Sequence, residues 1–415
     1  MSGHERVVSA FALPEEVAAL VERTRAFIRE QVIPNEPAPG EYLDDTVLAE
    51  LRGAAKAAGV FAPHVPVEYG GQGLPIQYWS PVFQAAGYSA NGPSVLNCMA
   101  PDEGNMHMMH LIATEAQQER YLRPLAAGEV RSSFAMTEPH PGAGSDPDML
   151  RTSATRVDGG WLINGEKRFI SGALGAAFAI VMARTGGTEE HPEATMFLVD
   201  VADPGFRIGR RIHAIDRAIA GGHPYVSLVD VRVGDDAVLG EPGKGFAYAQ
   251  VRLGPARLTH CMRWLGLARR ALDTALDRVN SRELFGSPMH ELGIAQELIA
   301  QSVLDIETAD ALITRVGWEL ATDARAGTAL SSVAKVHCAE AVFRVIDRAM
   351  QLCGGDGVSD ALPLAQYLSE VRPFRVYDGS TETHKWAIAR RAARTRRRAV
   401  EAGEPFLAQA YGWEH

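Results

Sequence analysis

Ser132-Ser133-Phe134-Ala135-Met136-Thr137-Glu138-Pro139-His140-Pro141-Gly142-Ala143-Gly144-Ser145-Asp146 marks the point where the texture of the chain changes. Upstream, apolar residues recur at helical spacing: Val17, Leu20, Val21, Thr24, Phe27 and Ile28 put one stripe on a helix over 14–31. Pro34, Pro37 and Pro39 interrupt it, and a second helical pattern over 46–58 closes at Gly59. Further helical texture covers 76–89 and 106–123, so residues 1–131 read as one all-α domain.

Downstream, short β-prone runs alternate with turn signals, at 133–136, 160–163, 178–182, 195–199, 225–228 and 229–233. Asn164-Gly165 reads as a hairpin turn, with Phe169 and Ser171 beyond it on one face of a strand. Residues 132–240 are therefore expected to form an antiparallel β-barrel or sandwich. Helical texture returns over 256–281, 292–323, 331–352 and 386–401, which predicts a four-helix bundle for residues 241–415. The fold class is α+β multidomain: helical, then β, then helical.

The chain has 415 residues, room for two or three domains with substantial cores. A net charge of -10 argues against general nucleic-acid binding. Cys98, Cys261, Cys338 and Cys353 form no CxxC pair, which predicts buried thiols in a reducing cytoplasm rather than a disulfide framework. Residues 1–12 lack the apolar core of a leader, and no run approaches the ~20 apolar residues of a membrane helix. The expected location is cytoplasmic.

Several constellations admit two readings each. Thr137 to Asp146 is either a polar Gly/Pro loop between strands or a ligand loop, with Gly142 and Gly144 admitting close approach and Thr137 and Ser145 supplying hydroxyls. Arg282-Glu283-Leu284-Phe285-Gly286 is a helix C-terminus or a phosphate site; Gln351-Leu352-Cys353-Gly354-Gly355-Asp356-Gly357 is a C-cap or a pyrophosphate cradle. Asp102, Glu103, His107 and His110 offer carboxylates and imidazoles without a third close ligand at recognisable spacing, so no metal is expected. The arginines at 390, 391, 394, 396, 397 and 398 make a solvated helical face or a polyanion site. Tyr377-Asp378-Gly379-Ser380-Thr381 brings one carboxylate to a glycine turn ahead of a helix: an N-cap, or a base in a cleft.

In this order and spacing, the motifs resemble the acyl-CoA dehydrogenase family over nearly the whole chain. The resemblance implies FAD between the β-domain and the helical bundle, partly across a homodimer or homotetramer interface. Phe134, Met136 and Thr137 then lie along the flavin ring. Gly144 and Ser145 belong to the TEPGAGSD-like loop, which touches FAD or acyl-CoA and here carries two extra residues, His140 and Pro141. Phe169, Ile170 and Ser171 match the usual Trp-Ile-Thr, a ring beside the flavin and a hydroxyl near its N5. Arg282, Phe285, Gln351, Gly354 and Gly355 match contacts to the neighbouring subunit's FAD, with Gln296 at an unusual spacing. Ser380 and Glu382 fall near the diphosphate. The stretch 97–106, the longer loop and Asp378 are like the branch whose longer eukaryotic members carry a kinase-like domain and act on long-chain or 4-hydroxyacyl-CoA.

The resemblance also implies a reaction: α,β-dehydrogenation of an acyl-CoA, with the α-proton going to a carboxylate and the β-hydrogen to flavin N5 as hydride, giving a trans-2-enoyl-CoA. Most members place a glutamate where Asp378 stands. Some instead place one immediately before the arginine matched by Arg257, but here that residue is Ala256. Asp378 is thus the candidate base, with Arg257, Gly379 and Ser145 toward substrate. Burial is expected to raise its pKa toward working pH. The implied partner is an electron-transferring flavoprotein, in fatty acid metabolism. The rival readings are a nitroalkane-oxidase-like enzyme with an aspartate base, and a non-catalytic flavoprotein that binds nucleic acid.

Overall fold

The structure is a computed structural model that describes residues 12–188 and 191–403; residues 1–11 of the stretch read for a leader lie outside it. Four main helices open the chain: α1 (Glu15–Phe27), α2 (Asp45–Ala57), α3 (Trp79–Gly87) and α4 (Asp102–Ile112). The Asp44 side chain caps α2 by accepting from the Thr46 and Val47 amides. The single helix expected over 106–123 is instead broken. Ala113 turns extended after α4, and Thr114 and Gln117 start a new helical turn with a capping box.

Eight strands follow: β1 (Ser132–Ala135), β2 (Ser153–Val157), β3 (Gly160–Lys167), β4 (Phe178–Gly187), β5 (Pro192–Asp200), β6 (Phe206–Ile212), β7 (His223–Val233) and β8 (Val238–Leu239). They form one sheet in the order β6-β7-β3-β2-β4-β5-β8, with β1 on β4. The order runs from β6 to β8 and does not close, so the sheet is no barrel, and β4 pairs in parallel with both β1 and β2. Alternation along β4 explains the packing. Phe178, Ile180 and Met182 join the core shared with the helices. Ala179, Val181 and Ala183 join a second core with Phe197 of β5, Phe206 of β6 and Val226 of β7. The sheet curls over its own apolar face while its other face carries the helices.

Asn164-Gly165 is not a hairpin turn. It lies within β3 at a register shift against β7, where Gly165 has φ 155° and a Cβ would meet Thr152 Oγ1 at 2.5 Å. Glycine is required there by the approach of a neighbouring segment, which a dipeptide rule cannot register. The two runs expected at 225–228 and 229–233 are one strand, bulged at Asp230, whose φ is 53°.

The helices of the last third are α5 (Gly245–Ser281), α6 (Gly293–Thr322), α7 (Ala324–Cys353), α8 (Leu364–Val371) and α9 (Thr381–Glu401). Asp323 separates α6 from α7 by capping the Arg325 and Ala326 amides. α5 begins earlier than its apolar stripe indicated and runs through Pro255. It packs against α3, α4, α6 and α7 and is buried on nearly all sides. Arg252, Arg257, Thr259, His260 and Arg263 are therefore buried although they are polar.

Candidate active site

Asp378 lies in the turn between α8 and α9, and α9 starts where Ser380 accepts a hydrogen bond from the Thr383 amide at 3.2 Å. The N-cap of the two readings is therefore Ser380, and the Asp378 carboxylate is free for other work. Asp378 has φ 52° and Gly379 φ 89°, two left-handed residues in succession. A Cβ on Gly379 would stand 2.7 Å from His384 Nε2, so both conformation and space demand glycine. Three basic side chains hold this turn by its carbonyls. Arg257 of α5 and His384 of α9 donate to the Asp378 oxygen at 3.3 and 3.0 Å, and Lys335 of α7 donates to the Gly379 oxygen at 2.7 Å. Burial lowers the Lys335 ammonium to about 8.

The carboxylate itself meets His260: Asp378 Oδ2 lies 3.0 Å from Nε2. On the far side of that ring, Arg263 donates to Nδ1 at 2.8 Å. A guanidinium only donates, so Nδ1 carries the lone pair and Nε2 carries the proton given to Asp378. Burial, reinforced by Arg263, lowers the His260 pKa, in keeping with a neutral ring. Arg263 is fixed in turn by the Cys98 carbonyl at 2.9 Å and the buried Glu103 carboxylate at 3.4 Å, which also accepts from Thr259. Glu103 is thus an anchor for Arg263, and Asp102 accepts from the Ser132 amide and hydroxyl at 2.8 and 2.6 Å.

Burial pushes the Asp378 carboxyl up, but the His260 hydrogen bond and the charges of Arg252 and Arg257 outweigh it and hold the group well below the ordinary carboxylate range. This reverses the expected rise. The flanking cations come from helix α5, far from Asp378 in sequence. Asp378 keeps 22% of its side chain exposed, so the turn presents the carboxylate rather than sealing it.

Arg252 links this turn to the first flavin-type segment. Its guanidinium lies 4.3 Å over the Phe134 ring, and its Nε donates to Asn105 Oδ1 at 2.8 Å. Beyond β1, the loop is organised by Glu138, whose carboxylate accepts from the Ala143, Arg151 and Thr152 amides and pairs with Lys167 at 2.9 Å. Lys167 also donates to the Met136 carbonyl at 3.1 Å. Pro139 O and Glu138 N bond back to Gly142 and Ala143, so His140 and Pro141 are held in an exposed turn and Gly144 and Ser145 remain exposed.

The Arg168 amide donates to Thr137 O at 2.9 Å and places this loop beside the next segment. Phe169 and Ser171 are past the end of β3, so they do not share a strand face as expected. Phe169 instead takes φ 57° and leaves its ring 44% exposed, while Ile170 is buried. Ser171 Oγ lies 2.8 Å from His223 Nδ1. The remaining residues stand apart on the surface: Arg282, Phe285 at 97% exposure, Gln296, Gln351, Gly354, Gly355 and Glu382. Arg282 and Phe285 lie around a small hairpin of Glu283–Leu284 and Ser287–Pro288. The Gly354 turn is tied to α5 by Asp356 and Arg278 at 2.7 Å.

Features of the described residues suit a planar ring that carries a diphosphate. Phe169 offers a part-exposed ring with the Arg168 guanidinium 4.7 Å over it, and the Ser171 hydroxyl follows two residues on. Gly144 has open space where a Cβ would stand. The buried Thr381 Oγ1 has no partner, at the N-terminus of a 21-residue helix. Among the described residues no group of three potential metal ligands is present, and no helix is long and apolar enough to cross a membrane.

Sequence reasoning missed His260, Arg263, Lys335, His384 and Arg252. One signal was present: Arg257, His260 and Arg263 recur every three residues and share a helix face.

A helical domain, a curled sheet and a long-helix domain, with a carboxylate turn whose flanking Arg252 stacks on the end of β1, define a flavin-dependent oxidoreductase architecture. The comparisons give the family. Models of the acyl-CoA dehydrogenase N-terminal, middle and C-terminal domains match residues 14–129, 133–221 and 243–393. The chain is 38% identical to a probable acyl-CoA dehydrogenase, FadE2, of Mycobacterium tuberculosis, over 85% of this chain and 87% of that one. It is 36% identical to acyl-CoA dehydrogenase family member 11 of Gallus gallus, over 89% of this chain and 49% of that protein, so it spans about half of that longer relative. The solved structure of a putative acyl-CoA dehydrogenase from Mycobacterium abscessus superposes with a TM-score of 0.85 at 33% identity, covering 92% and 98% of the two chains. Butyryl-CoA dehydrogenase from Megasphaera elsdenii superposes at 0.81 and 26% identity, over 91% of this chain and 97% of that one. The chain belongs to the acyl-CoA dehydrogenase family. It is an oxidoreductase acting on acyl-CoA, and its cofactor is FAD.

Proposed function

We propose that the protein removes the α-proton of an acyl-CoA with Asp378 and yields a trans-2-enoyl-CoA. When bound, FAD supplies the two-electron acceptor chemistry. The chain's residues do the rest. His260 Nε2–H holds one carboxylate oxygen, Oδ2, leaving Oδ1 as the proton acceptor. Arg257, Lys335 and His384 fix the turn so that the Asp378 amide is available to the thioester carbonyl, where enolate-like charge develops. A base held ionised needs an acidified α-carbon, and that polarisation supplies it. Phe134, Met136, Thr137, Gly144, Ser145, Phe169, Ile170, Ser171, Ser380 and Glu382 hold the cofactor in this reading. Arg282, Phe285, Gln296, Gln351, Gly354 and Gly355 serve the FAD of a second copy, and the acceptor of the reducing equivalents is an electron-transferring flavoprotein.

The observation that carries the reading is the Asp378 carboxylate, held by a neutral His260 and flanked by the Arg252 that stacks on Phe134. The test is Asp378→Asn with FAD retained, mixed anaerobically with a panel of acyl-CoAs. Flavin bleaching should slow by roughly a hundredfold or more. Unchanged bleaching with the best thioester would remove Asp378 as the base.

A further inference from the structure

Ser171, His223 and Asp216 form a hydrogen-bonded chain. Ser171 Oγ lies 2.8 Å from His223 Nδ1, and His223 Nε2 lies 2.8 Å from Asp216 Oδ2. His223 and Asp216 are 8% and 7% exposed, whereas Ser171 is partly open beside the exposed Phe169. The chain is rigidly mounted. The Ile170 and Gly172 amides donate to the Pro224 and Gly222 carbonyls at 3.1 and 2.9 Å, clamping Ser171 against His223. On the other side, Glu370 of α8 accepts from the Arg217 and Ala218 amides at 2.8 and 3.0 Å and pins the segment that carries Asp216.

The direction of each bond follows from what each group can do. A carboxylate accepts, so His223 Nε2 carries the proton and donates it in a hydrogen bond to Asp216 Oδ2. Whenever the ring carries a single proton, Nδ1 has only a lone pair, and Ser171 spends its hydroxyl hydrogen there. The oxygen of Ser171 is left facing outward with lone pairs alone. An unaided serine hydroxyl could rotate to donate or accept; this one can only accept.

We infer that His223 and Asp216 are positioning residues that fix Ser171 as a hydrogen-bond acceptor toward the flavin and thereby favour the reduced cofactor. The inference rests on the proposed placement of Ser171 beside flavin N5. N5 accepts a hydrogen bond in oxidised flavin and donates one, as N5–H, in reduced flavin. A fixed acceptor complements the second form and leaves the first unpaired. The usual hydrolytic arrangement, in which the carboxylate meets Nδ1 and the hydroxyl meets Nε2, is reversed here.

The test measures the midpoint potential of the FAD-bound protein at pH 8, above the ordinary imidazole range, for wild type, Asp216→Asn, Ser171→Ala and the double variant. An amide at 216 can donate to Nε2, move the ring proton to Nδ1 and turn the Ser171 hydroxyl outward as a donor. Asp216→Asn should therefore shift the equilibrium toward oxidised flavin by about tenfold, about 30 mV for two electrons. Ser171→Ala should shift it less in the same direction, and in the Ser171→Ala background Asp216→Asn should have no effect. A wild-type potential in Asp216→Asn, or an equal shift in both backgrounds, overturns the inference. If Ser171→Ala leaves both potential and flavin spectrum unchanged, the placement of Ser171 fails with it. If Ser171→Ala shifts the potential and Asp216→Asn does not, the inference fails alone. Release of free CoA that Ser171→Ala abolishes would overturn it in favour of a hydrolytic triad.

Discussion

Asp378 is a carboxylate whose surroundings were assembled from three helices, and its behaviour follows from them. Because the His260 bond and the Arg252 and Arg257 charges lower its pKa, the acid limb of flavin reduction should lie below the ordinary carboxylate range. Removing the donor with His260→Leu should move that limb to higher pH, and His260→Gln, which can still present an N–H, should move it back. Rapid-reaction bleaching rates across pH, with FAD content checked in each variant, would read this. A limb that stays put in His260→Leu would mean that the arginines alone set the carboxylate. The sequence exposed Asp378 because it is local: an acid, a glycine and a cap in succession. It hid His260, because a histidine on a helix reads as core until the helices around it are packed.

Among the elements, two buried carboxylates do structural work that the motif reading assigned to a ligand loop or did not see. Glu138 and Lys167 are buried as a pair, 6% and 0% exposed, and three backbone amides complete the carboxylate's bonding. Lys167→Met leaves that carboxylate without its cation and should destabilise the protein by about 3–5 kcal/mol, measured by urea unfolding. An effect below about 1 kcal/mol would mean that the amides alone satisfy Glu138. Glu370 joins α8 to the segment ahead of β7, and burial raises its pKa from 4.5 to about 7. The folded state therefore binds the proton more tightly than the unfolded chain. Stability conferred by protonated Glu370 is full below about 4.5 and is lost as pH rises through about 7, on the order of 3 kcal/mol. Glu370→Gln should flatten that slope in thermal melts between pH 4.5 and 7; an unaltered slope would assign it to other groups. The long apolar-stripe helices were legible from sequence, within a few residues at most ends. The break at Ala113 and the glycine at 165 were not, since each answers to a partner distant in sequence.

For the whole molecule, the flavin-type positions divide into two sets. Phe134 lies under Arg252, whose charge acts on Asp378, and Phe169 and Ser171 follow β3 on a segment bonded to Thr137 and His223, whereas Arg282, Phe285, Gln351, Gly354 and Gly355 are exposed at the ends of α5 and α7. If the second set serves a neighbouring copy, Arg282→Ala combined with Phe285→Ala should lower FAD content per chain and leave the helical signal by circular dichroism unchanged. Absorbance ratios after gel filtration would measure it, and full FAD content in the double variant would place those residues outside the cofactor site.

By itself, the sequence determined the succession of helical, β and helical texture, because periodicity and turn chemistry are local. It also determined the family, through motifs whose order survives substitution, and it put an aspartate in the glycine turn ahead of α9. Tertiary structure alone decided that the sheet curls without closing and that β4 takes parallel neighbours. It alone decided that Asp378 is paired and held ionised, and that Ser171 is backed by His223 and Asp216. Each of those outcomes depends on charges and backbone brought together from distant parts of the chain, and no window of sequence contains both partners.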